Sequence, residues 1–194
     1  MDAKAFKIIL KKGETASVEF KRCREGAKDD TYETICSFLN RFGGDIYLGV
    51  EDDGSVSGVP PDAVQNFIEN IINMLGNPEV IFPTVHIQPE SFEYEGKNII
   101  HIHVPPSSEP HSYKRTYYDR VGKSDIKMKS TNVITSMFMR KHDIHTEEKI
   151  YSHIRDEDLR FDLFTRIKIR ATTRQEDHPW KNMSDKEIIR SAGL

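Results

Sequence analysis

Residues 31–59 read TYETICSFLNRFGGDIYLGVEDDGSVSGV, and this stretch decides the fold. Tyr32, Ile35, Cys36 and Leu39 recur at three- and four-residue spacing, the period of a helix with one apolar face. Asp30 and Glu33 stand three apart at its start, the spacing of an N-cap and the acidic residue that reaches back to it. The pattern predicts a helix over 31–41. Asn40-Arg41-Phe42-Gly43-Gly44 ends it, because glycine adopts the positive φ that closes a helix. DIYLGV is then a short apolar strand. Glu51–Gly54 is a turn with the Asp-Gly pair that hairpins favour, and SVSGV is expected to return as the partner strand.

Working outward, Pro60 and Pro61 open a second predicted helix whose Val64, Phe67, Ile68, Ile71, Ile72 and Leu75 share a face. Gly76 and Pro78 stop it. VHIQPESFEYEG and KNIIHIHVP read as two strands around Glu95-Gly96-Lys97, HSYKRTYYDRVG as a further pair or a bent strand, and 131–141 as a helix. Strands outnumber helices up to residue 145. The fold class expected is α+β: a mixed, mainly antiparallel sheet with two to three helices packed on it. Residues 1–145 form the expected domain and 146–194 a helical extension. In the extension, 146–170 is charged and helical, ATTRQEDHPW is a loop, and Ser184 with Glu187 makes a capping box flanked by Met183 and Ile188. The apolar Ile188, Ile189 and Leu194 find no following partner, so the sequence is expected to lead into a downstream domain; the alternative is a terminus docked back on the first domain.

The totals limit the function. Among 194 residues, 37% are hydrophobic and 30% charged, with a mean hydropathy of −0.60. No apolar run approaches the roughly 20 residues of a membrane span, and Phe6–Leu10 is too short for a secretion signal. Cys23 and Cys36 lack metal or redox spacing and are expected as reduced thiols in a cytoplasmic protein. No Walker-type loop is present, so no ATP site is expected in this chain. The net charge of −3 is unevenly spread. Gly44–Pro110 carries eleven acidic residues against Lys97 alone, whereas His111–Lys141 carries eight Lys and Arg against Asp119 and Asp125. Such a basic segment suits phosphate, because the local field matters more than the total. It equally suits an ordinary solvated surface.

The ten residues 13–22, GETASVEFKR, hold two glutamates before a run of cations. If 17–22 is a strand, Ser17, Glu19 and Lys21 face one side and Val18 and Phe20 the other.

Four segments taken together resemble a known family. They are ETASVEFKR, ICSFLNRFGGDIYLGVEDDGSVSGV, KNIIHIHVPPSSEPHSYK and YYDRVGKSD, and they resemble the Schlafen AlbA-type (divergent AlbA) DNA-binding domain over about 14–140. The resemblance implies the N-terminal part of a longer bacterial protein, described in this family as a transcriptional regulator. Such proteins often carry a histidine-kinase-type ATPase-related domain and a winged helix, and HPWKNMSDKEIIRSAGL resembles the segment leading to them. In vertebrate relatives, two such lobes cleave tRNA and rRNA with two glutamates and an aspartate around a divalent metal. Matched by position, those carboxylates fall on Glu14, Glu19 and Asp52, with Glu51 and Asp53 flanking the last. They would suit Mg²⁺ or Mn²⁺, which prefer oxygen ligands and can activate water toward a phosphodiester. Five residues apart on a regular strand, Glu14 and Glu19 would face opposite sides, so convergence requires Glu14 to lie in a loop.

For nucleic acid, Lys21, Arg22, Arg24, Lys114, Arg115, Arg120 and Lys123 are the candidate phosphate contacts. Tyr113, Tyr117 and Tyr118 either stack on bases or pack across strands. Gly122 would allow close approach to a phosphate or form a bulge. His101 and His103 share a strand face, as metal ligands or as half-buried strand residues; His142 and His145 lie in a polar linker. Three readings follow: a nucleic-acid-binding, DNA-first module of a regulator; a metal-dependent endoribonuclease; and a non-catalytic dimerisation or sensor domain working as a homodimer.

Overall fold

Helix α1 (Ala3–Lys12) is the first element of the computed structural model, which describes residues 3–141, 163–174 and 176–191. Strand β1 (Val18–Lys21) follows and runs parallel to β2 (Gly44–Leu48), Val18 beside Asp45 and Lys21 beside Leu48. Parallel neighbours cannot be joined by a tight turn. The crossover between them is helix α2 (Asp29–Asn40). After helix α3 (Val64–Leu75) and the short β3 (Ile81–Phe82), strands β4 (Glu90–Tyr94) and β5 (Lys97–Val104) form an antiparallel hairpin. β5 pairs antiparallel with β2, giving a sheet of order β1-β2-β5-β4. A second sheet, β3-β6-β7-β8, adds β6 (Ser112–Tyr113), β7 (Thr116–Val121) and β8 (Ser124–Lys127), with antiparallel pairings throughout. Helix α4 (Thr131–Lys141) completes this part. The fold is α+β with a mostly antiparallel arrangement, as the residue patterns imply.

Strand alternation divides the core in two. Ile46, Leu48, Ile100, Ile102 and Val104 point to one face of the first sheet and bury against Ile35, Phe38 and Leu39 of α2 and Ile68, Ile71 and Leu75 of α3. Phe20, Tyr47 and Ile99 point to the other face and pack around Phe6 of α1. Phe6 meets Phe92 and Tyr94 edge-on, each ring centroid 5.0 Å away. Sequence periodicity assigns no element to residues 3–12, because the helix buries little beyond that one aromatic.

α2 is nearly all buried, and the second sheet is the reason. Thr34, Ser37 and Asn40 lie three apart on the stripe that a helical wheel would leave to water. They instead meet β7 and β8. The Asn40 amide donates to His111 O and Tyr118 O, both at 2.8 Å, and accepts from His111 N at 2.7 Å, so each of its polar atoms is satisfied.

Several local expectations shift. α2 starts at Asp29, with Lys28 at the N-cap position and no side-chain cap; Glu33 accepts from the Tyr118 hydroxyl at 2.8 Å instead. SVSGV is not a partner strand: its β-pairing is limited to isolated bridges, Val50 with Val56 and Val59 with Asn98, because β2 already has β1 and β5 as neighbours. α3 begins at Val64 and the two prolines stand in the preceding turn. HSYKRTYYDRVG becomes a hairpin turning at Lys114-Arg115, both at positive φ (45° and 63°), as a two-residue hairpin turn requires.

The chain divides into two units, residues 1–145 and 146–194. In the second, α5 (Phe164–Arg174) runs through Ala171–Arg174, shortening the expected loop; a 3-10 turn (Pro179–Lys181) and α6 (Asp185–Ser191) follow. The capping box is present: Glu187 Oε2 accepts from Ser184 N at 2.7 Å and Ser184 Oγ accepts from Glu187 N at 3.4 Å. Helix expected over 146–162, and His142 and His145, lie outside the described residues. No described helix is long and apolar enough to cross a membrane.

Candidate nucleic-acid interface

The region carrying most of the candidate residues is organised by a buried arginine. β7 alternates, so Tyr118 and Arg120 face α2 together. The Arg120 guanidinium lies over the Phe38 ring, 4.9 Å from its centroid. Its Nη2 donates to Glu19 Oε2 at 2.6 Å and to Thr15 O at 3.2 Å, its Nη1 to Asp125 Oδ1 at 2.9 Å, and its Nε to Ala16 O at 3.3 Å. Asp125 is held in turn by the hydroxyls of Thr34, at 2.6 Å, and Ser37. Burial disfavours the Arg120 charge, but Glu19 and Asp125 outweigh it and hold its pKa above the ordinary value.

From this hub a chain of charges runs outward. Glu19 Oε1 accepts from Lys21 Nζ at 2.9 Å, and Lys21 also meets Asp30 Oδ2 at 3.3 Å. Burial again opposes the Lys21 charge, and the two carboxylates prevail. Lys21 then lines an open cleft of about 630 Å³ with Arg22, Arg24, Lys28, Glu25, Asp30 and Asp52. The uncapped first turn of α2 starts there. Beside it Lys114 Nζ pairs with Asp29 Oδ2 at 2.8 Å, which lowers the Asp29 pKa and, with Tyr113, raises that of Lys114.

The expected phosphate contacts therefore separate by position. Lys21, Arg22 and Arg24 share the cleft, and Lys28 joins them; its place just before a helix start is the signal in the sequence. Lys114 stands next to the same first turn. Arg115 lies apart, exposed and 3.2 Å from Glu79. Lys123 is exposed in the turn between β7 and β8. Arg120 is 4% exposed and faces inward. The tyrosines pack: Tyr113 stacks on Tyr32 at 5.8 Å and 17°, Tyr117 meets Phe138 edge-on at 5.6 Å, and Tyr118 is buried against α2.

Of the carboxylates, Glu14 does lie in a loop, where the chain turns back so that Thr15 N donates to Val18 O at 3.0 Å. Its Oε1 accepts from Phe20 N at 3.1 Å. Glu19 has both oxygens in ion pairs, and Asp52 is exposed in the cleft. The three are not assembled as a ligand set. Among the described residues no group of three or more His, Cys, Asp or Glu side chains is placed to hold a metal ion. This arrangement does not fit the implied metal. His101 and His103 share a face and converge on Asp45 Oδ1, at 2.8 and 2.9 Å, a contact set by the register of β2 against β5. Cys23 and Cys36 are free and buried; burial pushes their thiols up to about 11 and about 12.

Several solved structures are similar, among them two from Nitrosomonas europaea and Corynebacterium diphtheriae. The N-terminal domain of a RecG-related protein from Nitrosomonas europaea is 23% identical, covering 67% of this chain and 95% of that one, with a TM-score of 0.48. The DIP2311 protein from Corynebacterium diphtheriae is 18% identical, with a TM-score of 0.50. It is covered over 90% of this chain and 32% of its own, so this chain spans about a third of its length and the likeness is one of fold. No curated protein matches. The model of the Schlafen, AlbA_2 family matches residues 14–129, more than half of the sequence, and the chain belongs to that family.

Proposed function

We propose that the first unit is a nucleic-acid-binding module, with DNA as its first expected ligand, serving a transcriptional regulator whose further domains follow residues 146–194. One observation carries this reading: Lys21, Arg22, Arg24 and Lys28 line one cleft at the start of α2, with Lys114 beside it. Cations from the end of β1, the loop leading into α2 and the β6–β7 turn outnumber the cleft's Glu25, Asp30 and Asp52, and such a groove suits a phosphate backbone, which needs charge and reach more than a shaped pocket. Arg120 acts from beneath, fixing Glu19 and through it Lys21. Arg115 and Lys123 extend the contacts at the periphery.

The test is fluorescence anisotropy with labelled duplex DNA and with tRNA, in Mn²⁺ and in EDTA, across a salt series. Binding is expected in both buffers, weakening steeply as salt rises, with Lys28→Gln lowering the slope of log K against log salt by about 0.9 for a duplex. Absence of binding to either nucleic acid at low salt would sink the proposal. Cleavage in Mn²⁺ that Asp52→Asn removes would instead favour a metal-dependent endoribonuclease; Asp52 is the informative position because it is exposed and its replacement leaves the Arg120 hub intact.

A further inference from the structure

Arg24 also lines a second cleft, of about 490 Å³. Ser57, Gly58, Pro60, Gly96 and Lys97 line it too, and no carboxylate does. Lys97 is the single Lys or Arg in the acidic stretch from Gly44 to Pro110, and the fold brings it to the same cleft as Arg24. Two pairings achieve this. Ser57 N and Gly58 N both donate to Gly49 O, at 2.9 and 2.8 Å, and Val59 N donates to Asn98 O at 2.8 Å, pinning residues 57–59 between the end of β2 and the start of β5. Gly58 has φ +80°, and a Cβ there would stand 3.0 Å from the Lys97 Cβ, so glycine leaves room for the lysine stem. Lys97 Nζ donates to Val56 O at 2.5 Å, which holds the ammonium over the segment carrying Ser57.

The Ser57 hydroxyl is the unexplained group. Its Oγ is buried and has no hydrogen-bond partner among the described residues. A buried hydroxyl without a partner is costly, and most such groups are satisfied by something. Ser57 lines the same cleft as Lys97 and Arg24, and the three side chains carry donors of the kind that phosphate oxygens accept.

We propose that Arg24, Ser57 and Lys97 form a second phosphate subsite, which takes a phosphodiester of a nucleic acid whose neighbouring phosphates lie in the Lys21–Lys28 cleft. Arg24 lines both clefts and marks the path between them. The inference rests on the nucleic-acid reading above and adds to it the direction in which the strand leaves the first cleft.

The experiment compares wild type, Lys28→Gln, Lys97→Gln and Ser57→Ala by anisotropy with the same labelled duplex and tRNA across the salt series. Lys97→Gln is expected to weaken binding several-fold and to reduce the salt slope by about 0.9 on a duplex or about 0.7 on a single strand. Ser57→Ala should weaken binding with its slope unchanged, since it removes a donor without a charge. Ser57→Asp, which adds a repelling charge at the same place, should weaken it further, and Lys97→Arg should restore most of the wild-type affinity and so exclude a folding effect. If wild type binds neither nucleic acid, both readings fail. If Lys28→Gln lowers the slope while Lys97→Gln and Ser57→Asp leave affinity and slope unchanged, the subsite alone is overturned.

Discussion

At Arg120 one side chain touches two carboxylates, two backbone carbonyls and an aromatic face, all within the protein. Removing it leaves Glu19 and Asp125 largely buried without their main partner, and breaking a buried pair costs about 3–5 kcal/mol. Arg120→Ala should lose stability on that scale in urea denaturation; a change under about 1 kcal/mol would show that the carboxylates find water or other cations. Its inward position is only half legible in sequence. Strand alternation puts Arg120 on the side of Tyr118, but nothing local says that a helix carrying Thr34 and Ser37 covers that side. For the same reason a count of cations over 111–141 overstates the basic face: Arg120, Arg140 and Lys141 all make contacts inside the fold. His111 offers a pH test. Its Nδ1 lies 2.8 Å from Pro83 O, which can only accept, so Nδ1 carries the proton and Nε2 accepts from the Ser107 hydroxyl at 2.8 Å. Burial holds its pKa below 6.5, against the pull of the Pro83 carbonyl and with Lys141 adding to the effect. The unfolded chain then takes up a proton near pH 6.5 that the folded one refuses until lower pH. The contribution is complete above 6.5 and lost as pH falls through the window beneath it. Urea midpoints of wild type should drop between pH 7 and pH 5, and those of His111→Gln should drop less; parallel curves would remove His111 from the account.

Elements are held at their ends more tightly than their apolar faces suggest. The last carbonyls of α2 receive donors from α4: Leu39 O from Lys141 Nζ at 2.6 Å and Asn40 O from Arg140 Nη2 at 3.2 Å, cations where the helix dipole is negative. Burial and the neighbouring Arg140 and Arg41 bring the Lys141 pKa down to about 8, Asp119 opposing them. The turn out of α2 is as constrained. Gly43 has φ +73°, its N–H donates to Phe38 O at 3.0 Å, and a Cβ there would lie 2.6 Å from Val104 O. Gly43→Ala should therefore cost at least about 1–2 kcal/mol for the left-handed backbone alone, with the backbone collision added. A urea midpoint equal to wild type would mean that β2 and β5 can part there. That glycine stop is legible because turn chemistry is local, and so are α2, α3, β5 and the capping box of α6, each written in a period or a cap. SVSGV misleads because its Asp-Gly turn is real while the strand that would pair with it is already used. β3 and β8 are too short to show a period, and α1 is fixed by Phe6 meeting the far face of a sheet.

Among the described residues of the whole molecule, the two hydrophobic clusters are built from residues of the first unit, the last of them Tyr118. α4 is a different matter: Met137 is 1% exposed, and Arg140 and Lys141 cap α2. The order of stability is thus set by where the chain is cut. Residues 1–145 expressed alone should unfold cooperatively with a urea midpoint close to that of the full chain. Residues 1–130 should lose at least about 2 kcal/mol, from the emptied Met137 site, beyond the loss of the helix caps. If 1–145 were unfolded, the core would depend on contacts from the second unit. If 1–130 matched 1–145, α4 would be an appendage and its cations would be available for phosphate after all. The same two fragments tested with duplex DNA then separate the cleft from the later basic segment: 1–145 keeps every residue of both clefts, so under the proposed reading its salt slope should equal that of the full chain.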